Sequence, residues 1–79
     1  VYPREIIKHA LSLNATRIIL YHNHPIGDRS FSTADLELTL ELGHKLRSVD
    51  VELYDHLLIT NGMVHSAREM GLMRELENH

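Results

Sequence analysis

The dipeptide Asn61-Gly62, set between the apolar runs 51–60 and 63–66, constrains this chain more than any other feature. Both residues tolerate the positive φ of a two-residue turn, and such a pair between apolar runs is the strongest short-range signal for a β-hairpin. The chain therefore builds a sheet, in which 63–66 returns antiparallel to 51–60. A further strand is expected over Arg17-Ile18-Ile19-Leu20-Tyr21, a short β-branched run that reads as buried.

Helix signals surround these strands. Pro3 suits a first helical position, and Ile6, Ile7, Ala10 and Leu11 follow at helical spacing with Arg4, Glu5 and Lys8 opposite; Asn14 is a fitting stop. Residues 25–32, with Pro25, Gly27, Asp28 and Ser30, form a loop. Ser32 then reads as an N-cap with Asp35 at the third helical position, a capping box carrying Asp in place of Glu. Leu36, Leu40, Gly43, Leu46 and Val49 line one face of that helix, Leu38 and Leu42 widen it, and its end falls near 48–50. Residues 68–77 make a last helix, weakened by Gly71, with Met63, Met70 and Met73 as core filler. The order helix, strand, helix, strand, strand, helix predicts a mixed α/β domain with a small sheet.

With 79 residues, one domain is the limit, and so small a core is often helped by a metal, a disulfide or a partner. No cysteine is present, so any metal must be held by histidine and carboxylate. Eleven Asp and Glu outnumber eight Lys and Arg, and the basic residues form no run, which speaks against direct nucleic-acid binding. Phe31, Tyr2, Tyr21 and Tyr54 are thin material for stacking bases. No apolar run reaches membrane-spanning length and no leader pattern appears, so a cytoplasmic setting is expected. The start at Val1, directly before a helix signal, reads as a fragment of a longer protein.

The chemistry-bearing residues cluster at His22-Asn23-His24-Pro25, Ser32 and Asp35. Residues two apart on a strand share a face, so His22 and His24 can reach one ion while Asn23 points away. Pro25 keeps His24 extended. Asp35, one turn into the following helix, can return a carboxylate to the same point. Zinc accepts such a set, and three protein ligands leave a fourth position for water. Ser32, one turn earlier, can donate its hydroxyl to an oxyanion, aided by the helix N-terminus. Ser32 and Asp35 are equally explained as a capping box, and Pro25 and Gly27 by the turn.

His22-x-His24, seven residues, Ser32, two residues and Asp35 together resemble the motif of the JAMM (MPN+) metalloprotease family. More narrowly, Pro3-Arg4-Glu5-Ile6, the run from His22 to Asp28, Asp55-His56 before an apolar strand, and Ser66-Ala67-Arg68-Glu69-x-Gly71-Leu72 are similar to the C-terminal domain of bacterial RadC-like proteins. The departures are Ile26, where that family usually has Ser, and Phe31, where it usually has Pro. The resemblance implies a JAMM/MPN-like (cytidine-deaminase-like) α-β-α layered sheet over residues 1–79, lacking its N-terminal strands. It implies one zinc on His22, His24 and Asp35 with water, Ser32 as oxyanion stabiliser, and hydrolysis of an amide or isopeptide bond in a peptide substrate. It also implies a general-base glutamate on a strand upstream of the helix at Pro3, hence outside this chain; Glu5 is on the intervening helix and is not given that role.

Asp55 and His56 are candidates for support behind the metal ligands or a hydrogen-bonded structural pair, and adjacent strand residues allow at most one of them to face the site. His9, His44, His65 and His79 show no partner spacing and read as surface residues. The literal His-Asn-His string is no HNH nuclease signature, whose residues are dispersed over a longer ββα unit. The competing reading is a non-enzymatic, DNA-repair-associated or interaction module, since RadC-like proteins carry a DNA-repair label, with the metal serving stability. A sheet edge left open could also drive homo-oligomer formation. In a gel-shift titration across salt concentrations this chain is expected to leave duplex DNA unshifted; tight binding with a steep salt slope would overturn that expectation.

Overall fold

The computed structural model describes residues 3–23 and 31–77. Six elements follow in the expected order: α1 (Pro3–Ser12), β1 (Arg17–Asn23), α2 (Thr33–Arg47), β2 (Glu52–Thr60), β3 (Met63–Ser66) and α3 (Arg74–Glu77). The architecture is mixed α/β, as the hairpin and helix signals required. The sheet order is β1-β2-β3; β1 and β2 run parallel, joined through α2, and β3 returns antiparallel. The two-residue turn has positive φ at both Asn61 and Gly62, and Thr60 pairs with Met63 across it.

Strand β2 carries one extra residue. Ile18 pairs with Leu53 and Ile19 with Asp55, so Tyr54 is a bulge. Paired residues of neighbouring strands share a face. Ile18, Leu20 and His22 thus lie on one face with Leu53, His56 and Leu58, and Ile19, Tyr21 and Asn23 lie on the other with Asp55, Leu57 and Ile59. The first face meets the helices. Leu42, Leu46, Leu58 and Met73 are fully buried there, with Ala10, Val51, Leu53, Ala67 and Leu76 around them. Burying each of the Leu, Val and Met side chains here is worth roughly 1.5–3 kcal/mol. Strand β1 is half-buried where full burial was expected: only its inner face meets the helices, and Ile19 and Tyr21 are 51% and 70% exposed on the outer face.

Helices α1 and α2 and the turn segment that follows β3 end in the same way. Ala15 donates to the carbonyl of Ala10 and Asn14 to that of Leu11; Val51 to Leu46 and Asp50 to Arg47; Leu72 to Ala67 and Gly71 to Arg68. Asn14, Asp50 and Gly71 all have positive φ. These are Schellman caps, in which paired backbone bonds satisfy the last carbonyls and an apolar residue folds back on the helix. The third cap corrects one expectation. Residues 67–73 form turns and only Arg74–Glu77 is helical, because Gly71 in the left-handed conformation closes the segment before a long helix can form. Met73 is then fully buried, while Met70 and Met63, also expected as core filler, are 52% and 57% exposed.

The short α3 reaches the core through Gly43 of α2. A Cβ on Gly43 would stand 2.4 Å from Leu76 Cδ1, so its absence lets Leu76 seat against the helix. Arg47 donates to the Leu76 carbonyl beside this contact.

Asp55 ties the turns to the sheet. It is buried, and its carboxylate accepts from the His56 and Arg68 backbone N–H groups and from the Ser66 hydroxyl. Ser66 Oγ in turn accepts from Glu69 N–H, and Arg68 donates to the Tyr54 carbonyl at the bulge while its guanidinium stacks over the Tyr54 ring. Asp55→Ala strands three donors and is expected to lower unfolding free energy by about 3 kcal/mol in a denaturant titration. Asp50→Gly, which removes the side-chain penalty of the left-handed cap, is expected to raise the denaturation midpoint, and Asp50→Val to lower stability by about 1–2 kcal/mol.

Candidate metal centre

His22 enters the site as the last inward-facing residue of β1, and its neighbours Tyr21 and Asn23 face out. Asp35 enters from the first turn of α2. The capping box is complete: Asp35 N–H donates to Ser32 Oγ at 3.0 Å, and Ser32 N–H donates to Asp35 Oδ2 at 2.9 Å. This reciprocal pair fixes the rotamer of Asp35 and turns its carboxylate toward the strand. His22 Nε2 lies 3.7 Å from Asp35 Oδ2, with the two side chains 30% and 22% exposed. The strand end and the helix start thus bring together two residues thirteen positions apart.

His24 lies outside the described residues, so only two of the three expected ligands are placed. Among the described residues no group of three His, Cys, Asp or Glu side chains is arranged to hold a metal. Ser32 is exposed at the helix start. Its oxygen accepts from Asp35, which leaves the hydroxyl hydrogen for a further acceptor.

Of the adjacent pair in β2, His56 faces this site and Asp55 faces the 66–69 turn. His56 is 3% exposed, and its Nε2 is 2.7 Å from His22 Nδ1. Its other nitrogen, Nδ1, is 2.6 Å from Thr39 Oγ1, and Thr39 donates at 2.7 Å to the carbonyl of Asp35. Thr39 is 1% exposed. The chain of contacts runs from one candidate ligand through His56 and Thr39 to the backbone of the other. Phe31 is buried edge-on against both imidazoles, with ring centroids 5.2 Å from His56 and 6.5 Å from His22.

Thr39 and Phe31 were missed in the sequence. Thr39 stands on the buried side of α2 among leucines, about one turn beyond Asp35, and a polar residue in an apolar stripe was the available signal. Phe31 reads in the sequence as one of the few aromatics and as a departure from the family pattern, with nothing that ties it to the site. His44 meets Glu75 at 3.3 Å on the surface, His65 approaches Thr60 Oγ1 at 3.3 Å, and His9 is exposed on α1, so none of these adds to the site.

A cleft of about 260 Å³ opens over the pair, lined by Leu20, Tyr21, His22, Asp35, Leu38 and His56. A larger hollow of about 430 Å³ lies between α1 and β1, lined chiefly by aliphatic side chains such as Ile6, Leu13 and Ile18. Its titratable residues, Glu5 and His9, are exposed on α1, whereas His22, Asp35 and His56 converge on the smaller cleft, which is the candidate site. No described helix is long and apolar enough to cross a membrane.

Residues 1–72 match the RadC-like JAB domain family. A UPF0758 protein of Rhodobacter capsulatus is 45% identical over 73 residues, covering 92% of this chain and 34% of that protein. UPF0758 proteins of Stenotrophomonas maltophilia (Smlt0399) and Escherichia coli K12 (YfjY) are 48% and 44% identical over the same length, covering 31% and 46% of those proteins. The chain thus spans less than half the length of these curated relatives. With the family matched across nearly all of its length, and with His22 and Asp35 converging at the end of a strand and the start of a helix, this chain belongs to the RadC-like JAB domain family.

Proposed function

We propose that this chain carries the metal-binding part of a JAMM-type hydrolase site, in which His22, His24 and Asp35 hold one zinc ion. The observation that carries the reading is the 3.7 Å approach of His22 Nε2 to Asp35 Oδ2. Two ligand atoms on one tetrahedral zinc, each bonded at roughly 2.0–2.2 Å, stand about 3.4 Å apart, so these atoms need little movement to share an ion. The donor set also fits, since imidazole and carboxylate are ordinary zinc ligands and cysteine is absent from the chain.

When bound, zinc would supply Lewis acidity and a water activated near neutral pH. The chain's own residues then divide the remaining work. Asp35, held by Ser32 N–H, keeps its carboxylate in place without an ordering cost at the moment of binding. Ser32 would donate its hydroxyl hydrogen to the oxyanion of an amide or isopeptide carbonyl, while its oxygen stays bonded to Asp35 N–H. Leu20 and Leu38 would give a bound substrate an apolar wall, with Phe31 packed against the imidazoles. Among the described residues lining the cleft there is no glutamate, so the general base of the proposed reaction would come from outside this set. A peptide substrate and a cytoplasmic setting belong to the same proposal.

Metal analysis of the purified protein is expected to give one zinc per chain. The Asp35→Asn variant keeps an acceptor for Ser32 N–H, so the helix cap survives, and both it and His22→Ala are expected to lose the ion. Wild-type protein that takes up no zinc at micromolar concentration would sink this reading.

A further inference from the structure

We infer that Thr39 and His56 are positioning residues that set the tautomer of His22, and through it the direction in which His22 offers its electron pair. The inference rests on the zinc reading only for its consequence; the hydrogen-bond chain stands by itself.

The direction of each bond follows from counting donors. Thr39 has one hydroxyl hydrogen, and a 2.7 Å contact to the Asp35 carbonyl, which can only accept, uses it. Thr39 Oγ1 must therefore accept at its 2.6 Å contact with His56, which makes His56 Nδ1 the donor. A neutral imidazole that donates from Nδ1 accepts at Nε2. The 2.7 Å contact then requires His22 Nδ1 to donate to His56 Nε2. With both rings neutral, as ligation demands of His22, the electron pair of His22 sits on Nε2, the atom that faces Asp35 Oδ2.

The relay begins and ends on α2, since the carbonyl that orients Thr39 belongs to Asp35 itself. One residue thus contributes its carboxylate to the site directly and its backbone to the orientation of the opposing histidine. Phe31 packs edge-on against both imidazoles and restrains them from turning. Burial of Thr39 and His56 keeps water from offering substitute bonds.

Thr39→Val keeps the shape of the side chain and removes the acceptor. His56 Nδ1–H would then lack its partner, the preferred tautomer would reverse, and His22 would present N–H toward Asp35. Thr39→Ser removes a methyl group and keeps the relay. A packing role ranks Ser as the worse substitution, whereas the relay ranks Val as the worse.

The test is nitrogen-15 NMR of the imidazoles in the metal-free protein at mildly alkaline pH, paired with zinc titration. Wild type and Thr39→Ser are expected to show His22 as the Nδ1–H tautomer, and Thr39→Val to show the Nε2–H tautomer with zinc affinity lower by roughly 10–100-fold. Finding His22 as Nε2–H in the wild-type protein would overturn the inference without recourse to any variant. So would a Thr39→Val protein with wild-type tautomer and affinity. If wild type shows the Nδ1–H tautomer, Thr39→Val reverses it and neither binds zinc, the relay stands and the metal reading falls.

Discussion

The bulge at Tyr54 decides which side chains of β2 lie beneath α2, and the site depends on that choice. Without the extra residue, strict alternation from the buried Leu53 would carry Asp55 inward and His56 outward. With it, Leu53 and His56 both face the helices, and Asp55 turns to the opposite face. A shift of one residue inverts every later side chain of a strand, so a single bulge exchanges a carboxylate for an imidazole at the heart of the domain. The chain stabilises the bulge from the outside, through Arg68 on the Tyr54 carbonyl and ring and through the Asp55 carboxylate that gathers the 66–69 turn.

The start of α2 serves two ends at once. Ser32 and Asp35 satisfy the orphaned amides of a helix terminus, as many such pairs do. The same bonds hold the Asp35 carboxylate toward His22, and one turn later Thr39 returns a hydroxyl to the Asp35 carbonyl. Structural and functional accounts of these residues are therefore not rivals. A rigid cap is what the proposed metal site would ask of Asp35, and Leu20 and Leu38 line the cleft beside it with Phe31 against the imidazoles.

Much of the fold was legible because it rests on local chemistry. The Asn61-Gly62 turn, the Ser32 cap and the stop at Asn14 each depend on residues a few positions apart, and all three formed as read. The last helix was misjudged because the pattern of 68–77 is helical in composition, while Gly71 and the Schellman bonds around it close the segment early. The exposure of Tyr21 and Ile19 was equally hidden, since an apolar run does not say whether both faces of its strand are covered.

By itself, the sequence determined the elements, their order, the capping box and the candidate residues His22, Ser32 and Asp35, because spacing along a strand or helix is a local matter. Only the tertiary structure decided that His56 rather than Asp55 faces them, that Thr39 and Phe31 complete their surroundings, and that His22 Nδ1 meets His56 Nε2. Those facts depend on strand register and on how α2 crosses β2. Both arise from packing between residues far apart in the chain, where one bulged residue reverses the outcome.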